Sequence, residues 1–174
     1  DIVARWRGSN KRIVELWYRC ENAVLTAVRT GMAQNVNGCT FRKADNFMII
    51  TLPSGRELFY INPTLKINEK CKEQMFYMGV EQGTKKWGEI GTYGGKIVEN
   101  IVQAIARDCL ALSMKKTASK GFKVVMHIHD EMVIDSPKDR ELKELTDIMA
   151  EPVPWAQGLI LRGDGFESMF YKKD

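Results

Sequence analysis

Apolar residues recur at every third or fourth position between residues 10 and 30: Ile13, Trp17, Cys20, Val24 and Ala27. That period predicts an amphipathic helix with its stripe in the core. Ser9 or Asn10 stands where a cap is wanted, and Gly31 stands where a left-handed residue closes a helix. Trp6-Arg7-Gly8-Ser9-Asn10 reads as a lead-in from upstream. From 40 to 61 the pattern becomes that of strands. Phe47 to Leu52 is a β-rich run, Pro53-Ser54-Gly55 is a turn, and Leu58 to Ile61 returns. From 65 to 93, Lys, Glu and Thr alternate with Ile67, Met75, Phe76, Tyr77, Trp87 and Ile90, and glycines punctuate them. This predicts short strands.

Residues 95–117 predict a second long helix. At about 100° per residue, Ile97, Ile101, Ile105 and Cys109 share a side with Val98, Val102 and Ala106. The apolar arc is wide, and a polar line remains: Lys96, Asn100, Gln103 and Arg107. Their spacing of four, three, four sets them on one ridge, within about 60° of arc. The ridge carries amides and cations and no acid, which suits an acceptor-rich partner such as nucleic acid. Residues 136–150 predict a third helix, with Ser136 as cap, Pro137 at its first position, Asp139 at the capping-box position, and Leu142, Leu145, Ile148 and Met149 buried. Gly158 to Leu161 and Phe166 to Tyr171 read as one or two strands. Helices interspersed with hairpins predict an α+β fold, an antiparallel sheet packed against two or three long helices.

One stretch breaks strand rules. In Lys123-Val124-Val125-Met126-His127-Ile128-His129-Asp130-Glu131-Met132-Val133-Ile134, two apolar runs flank a polar interruption. The flanks predict paired strands, and Asp is poor in strands. A local rule broken without a structural gain points to a site. Adjacent strand residues face opposite ways, so Asp130 and Glu131 share one metal only if the chain turns between them. The spaced pair His127 and His129 resembles half of a cupin metal motif, but no glutamate follows at the required spacing and the chain has only 2 histidines.

With 174 residues the chain is long enough for one domain with a real core. No apolar run approaches the ~18 residues that span a membrane, and no signal-peptide pattern opens the chain. It begins with Asp1, which suggests a piece of something longer. The 4 cysteines lack metal-ligand spacing and read as free thiols. The net charge of +4 hides an asymmetry. Residues 1–120 carry 19 Lys and Arg against 11 Asp and Glu, and residues 121–174 carry 7 against 11. A basic body beside an acidic end fits a polyanion-binding surface next to a metal-binding corner.

His129-Asp130-Glu131 between apolar strands resembles motif C of the family A DNA polymerases. Tyr93-Gly94-Gly95-Lys96-Ile97-Val98-Glu99-Asn100-Ile101-Val102-Gln103-Ala104-Ile105-Ala106-Arg107-Asp108 looks like the corresponding helix of phage and prophage members. Leu52-Pro53-Ser54-Gly55-Arg56 and Pro154-Trp155-Ala156-x-Gly158-Leu159 also look like theirs, and the blocks are ordered as in the family. The resemblance implies that Asp130 binds catalytic Mg²⁺, two ions in the complete enzyme, and that Glu131 is an adjacent, supportive acid. It implies that His129 lies near the primer terminus and that Gln103 contacts the minor groove of a primer-template. It sets Arg56 toward the duplex and Lys96 and Asn100 near DNA-contacting positions, and Arg107 shares their ridge.

The same resemblance implies a palm-like sheet, with residues 1–174 as a single C-terminal palm portion. Motif A, with the second metal-binding aspartate, and motif B, with the nucleotide-binding Lys and Arg, are absent from the sequence. The expected parent activity is template-directed addition of deoxynucleotides to a primer 3′-OH by a two-metal mechanism. The expected partners are primer-template DNA, dNTP and the missing upstream segment, and the expected setting is the bacterial cytoplasm, phage or prophage encoded, with no membrane. The isolated chain is expected to be inactive. The alternatives are a stand-alone DNA-binding module and one subunit of a split polymerase. A missing palm strand would leave an edge open to pairing with a second copy.

Overall fold

The computed structural model describes residues 1–172. The chain is α+β, with helices α1 (Ile2–Ser9), α2 (Lys11–Thr30), α3 (Gly94–Ser119) and α4 (Leu142–Ala150). Six strands form one antiparallel meander: β1 (Gln34–Val36), β2 (Cys39–Ala44), β3 (Phe47–Thr51), β4 (Glu57–Ile67), β5 (Glu73–Val80) and β6 (Trp87–Thr92). Two more, β7 (Lys123–Ile128) and β8 (Glu131–Asp135), form a separate hairpin. The chain divides into two compact units, residues 1–102 and 103–174, with the boundary inside α3.

In the first unit α2 lies along the meander against β1 to β5. Its buried stripe is Cys20, Ala23, Val24, Ala27 and Val28, close to the stripe that the spacing predicts. Gly31 closes the helix at φ +74°, where its N–H donates to the Ala27 carbonyl at 2.9 Å. A side chain with a Cβ would be strained there, which is why glycine serves. Register decides which strand residues meet the core. Phe41 is opposite Ile50, Met48 opposite Tyr60, and Leu65 opposite Met75, so these share a face. Phe41, Met48, Ile50 and Met75 are fully buried. Each such side chain contributes about 1.5–3 kcal/mol relative to exposure. The other face keeps Phe59 and Trp87 exposed.

In the second unit Cys109, Leu110 and, toward the end of α3, Ser113 and Thr117 are buried, as are Phe122, Ile148 of α4 and Val153. Arg140 stacks 3.4 Å over the Phe122 ring, donates to the Lys120 carbonyl at 3.0 Å and pairs with Glu144. The Glu151 carboxylate accepts ion pairs from Lys116 and Lys120, both at 2.9 Å. Those two ammonium groups hold its pKa down at about 2.

Several local expectations change. The lead-in to α2 is itself a helix, α1, capped by Asp1, whose side chain accepts from the Val3 N–H. Asn10 caps α2 by backbone position only; its side chain donates to the Trp6 carbonyl. The strands in 65–93 are longer than expected, because β4 and β5 pair far past a bulge between Ile61 and Thr64. The third helix starts at Leu142, not Ser136. The Ser136 hydroxyl donates to the Pro137 carbonyl, and a turn closes from the Arg140 N–H to that same carbonyl. The apolar arc of α3 is narrower than the spacing suggests, since Val102 and Ala106 are exposed. No strand forms in 158–161 or in 166–171. A strand needs ladder partners, and none of the described strands pairs with these segments.

Candidate nucleic-acid and metal site

The β7–β8 hairpin turns on two residues. Ile128 is opposite Glu131, so His129 and Asp130 make the turn. His129 adopts φ +52°, a conformation that costs a non-glycine residue about 1 kcal/mol. The strain is stored at the tip, where the sequence breaks strand rules. Asp130 sits exposed on the turn, and Glu131 is already the first residue of β8 and exposed.

Cross-strand partners share a face. His127 is opposite Met132, and the Thr117 hydroxyl of α3 donates to the Met132 sulfur at 3.8 Å. That side of the hairpin therefore faces α3. His127 lies on it, and its Nε2 is 3.2 Å from Arg107 Nη2. Glu131 shares the opposite face with Ile128. His129 lies on the turn and not on β7, so strand alternation does not set its direction beside His127. The imidazole pair is not brought together as a ligand set.

The carboxylate of Asp130 fits one ligand position of a hard cation that keeps its own waters. Among the described residues, no group of three His, Cys, Asp or Glu side chains converges to hold a metal. The donor set present is thus one carboxylate, with Glu131 beside it, and not a complete site.

The ridge of α3 resolves into four different environments. Lys96 forms an ion pair with Glu99 at 3.0 Å, and this hydrogen bond raises the lysine pKa. The ridge therefore has an acid beside it, which the spacing overlooked. Asn100 is half-buried and donates through Nδ2 to the Tyr60 hydroxyl at 2.9 Å. Gln103 is exposed, and Arg107 is exposed beside His127. Arg56 follows the Pro53–Gly55 turn as expected and is exposed; its carbonyl accepts from the Leu52 N–H at 2.8 Å. Sequence reasoning missed Tyr60 and His127 as partners. Both stand on strands far from the helix in sequence, and helical spacing carries no signal of them.

The cysteines are free thiols, with Cys20, Cys39 and Cys109 buried and Cys71 exposed. Burial pushes the Cys20 thiol up to about 11, which keeps it an inert core group. No helix among the described residues is long and apolar enough to cross a membrane.

Over its whole length, in an alignment of 178 residues, the chain is 46% identical to a DNA polymerase of Bacillus phage SP02. The chain is similar to a phage DNA polymerase. It spans 27% of the length of that curated relative. No family model matches the chain, and no solved structure matches it.

Proposed function

We propose that the chain is the motif C-bearing palm portion of a family A, template-directed DNA polymerase of phage type. The observation that carries this is the 46% identity to the SP02 polymerase along the entire chain. A second support is the exposed, strained turn that carries His129 and Asp130. In this reading residues 1–174 act as a single functional portion. The substrates are dNTP and primer-template DNA, and the working enzyme includes a polymerase segment upstream of this one, in the cytoplasm of a phage-bearing bacterium.

Asp130 contributes one ligand to Mg²⁺, and Glu131 assists from the adjacent position. Bound Mg²⁺ supplies positive charge to the reacting phosphates. The remaining ligands lie outside the described residues, so no chemical step is assigned to this chain alone. His129 meets the primer terminus from the turn. Gln103 and Arg107 offer donors to the duplex from the exposed side of α3, and Arg56 does so from the β3–β4 turn. Lys96 and Asn100 are near DNA-contacting positions in the same reading and are engaged by Glu99 and Tyr60. The hairpin has only two strands, and its outer edges invite pairing with another strand, of a larger sheet or a second copy.

The test exchanges the aligned stretch of the SP02 polymerase for this chain and assays primer extension. The chimaera is expected to extend, and Asp130→Ala is expected to lower its kcat by a factor on the order of a thousand, the scale of losing an electrostatic catalytic group. Undiminished extension by the Asp130→Ala chimaera overturns the assignment. The 174-residue chain by itself is expected to show no extension; robust extension by it overturns the palm-portion reading. Light scattering reports the edge pairing, and a strict monomer at high concentration argues against it.

A further inference from the structure

We infer that a groove on the first unit, between α2 and β1, seats the phosphodiester backbone of a nucleic-acid strand. Two cavities of about 460 Å³ and 220 Å³ lie along α2 and share Arg19. Arg12 and Asn37 line the first, and Asn22 and Asn35 line the second. The larger cavity is also lined by Ile13, Glu15 and Leu16, and the smaller adds Thr26 and Gln34 to its polar wall. The carboxamide oxygen of Asn35 is occupied by the Thr40 hydroxyl at 2.7 Å, which leaves its NH₂ group as the end that can donate. Neither Arg12 nor Arg19 is held in an ion pair with another described residue. The same unit ties Arg29, Arg42, Lys66 and Lys96 to Glu73, Glu57, Glu89 and Glu99.

The acids of these helices are largely committed. Asp1 accepts from the Val3 N–H at 2.9 Å and Glu21 from the Gly94 N–H at 3.3 Å, leaving Glu15 at the groove wall. Arg5, Arg7 and Lys11 are further exposed cations on α1 and the start of α2, and Trp6 and Trp17 stack at 5.7 Å. Arg12 and Arg19 are two helical turns apart, about 10 Å of rise. Both line the larger cavity, and arginines at this separation can contact consecutive phosphates of a strand. Guanidinium and amide donors spaced along a helix suit contact with successive phosphates of a backbone. This inference rests on the nucleic-acid reading above, but it uses none of the residues assigned there.

Fluorescence anisotropy of the full chain with a labelled single-stranded oligonucleotide, titrated across salt, tests it. Arg12→Ala/Arg19→Ala is expected to weaken binding about tenfold and to reduce the slope of log affinity against log salt by about 1.4, the loss of two phosphate contacts. Arg12→Lys/Arg19→Lys is expected to keep most of the slope, and circular dichroism should show both variants folded. Wild-type binding that the alanine variant leaves unchanged in affinity and slope overturns the groove and leaves the polymerase reading standing. No oligonucleotide binding by the wild type fails both. Inorganic triphosphate or poly-glutamate binding at this groove as tightly as the oligonucleotide overturns the strand as occupant.

Discussion

The Arg107 guanidinium of α3 lies 3.2 Å from His127 Nε2 on β7, three residues before Asp130. Arginine has no acceptor, so in a hydrogen bond between them Arg107 donates to Nε2. The bond ties the tip of an otherwise two-stranded hairpin to the helix. Arg107→Ala is expected to destabilise the second unit by only about 0.5–1 kcal/mol, because the pair is exposed. Its clearer effect is faster amide hydrogen exchange from His127 to Met132. Unchanged exchange there removes the anchoring role.

Asn100 is an expected DNA-contacting residue that the structure gives an internal partner, Tyr60. Tyr60 is largely buried, and desolvation raises its pKa above the ordinary 10.0. A raised pKa means that stability is full below the unfolded value and is lost as pH rises through the folded one. Melting temperature should therefore fall above pH 10, and Tyr60→Phe should flatten that fall. Asn100→Ala is expected to cost about 1 kcal/mol at neutral pH. An Asn100→Ala protein of wild-type stability would return that residue to a purely DNA-facing role.

Glu151 reports on acid stability. Its pKa is lowered from 4.5 to about 2 by Lys120 and Lys116. A depressed carboxylate contributes stability that is present above the unfolded value and lost as pH falls through the folded one. The group is solvent-exposed, so the effect is small and salt-sensitive. Glu151→Gln is expected to melt below the wild type at pH 7 and to converge with it as the pH falls toward 2. Parallel melting curves over that window discount the ion pair.

Two glycines should respond oppositely to alanine. A Cβ on Gly94 would meet the Trp17 carbonyl oxygen at 2.2 Å, a clash with backbone that cannot swing aside. Gly94→Ala is expected to cost about 3 kcal/mol, by overpacking. Gly8 in α1 has nothing within 4 Å of a built Cβ, so Gly8→Ala should stabilise by about 0.5–1 kcal/mol through helix propensity alone. Thermal melts of the two variants decide both.

The sequence by itself determined what rests on local period and local turn chemistry. It set α2 with its Gly31 stop, the β3–β4 hairpin around Pro53–Gly55, the long helix α3, and the β7–β8 hairpin with Asp130 at its turn. Motif order, not periodicity, carried the polymerase resemblance. Only the tertiary structure decided which partner each polar residue meets. Helical spacing placed Lys96, Asn100, Gln103 and Arg107 on one ridge and Glu99 within reach of Lys96, but Tyr60 and His127 had to be folded against Asn100 and Arg107 before their roles diverged. Strand formation near the C-terminus failed for the same reason: a β-rich run becomes a strand only when another strand supplies its hydrogen bonds, and that depends on residues far away in the chain.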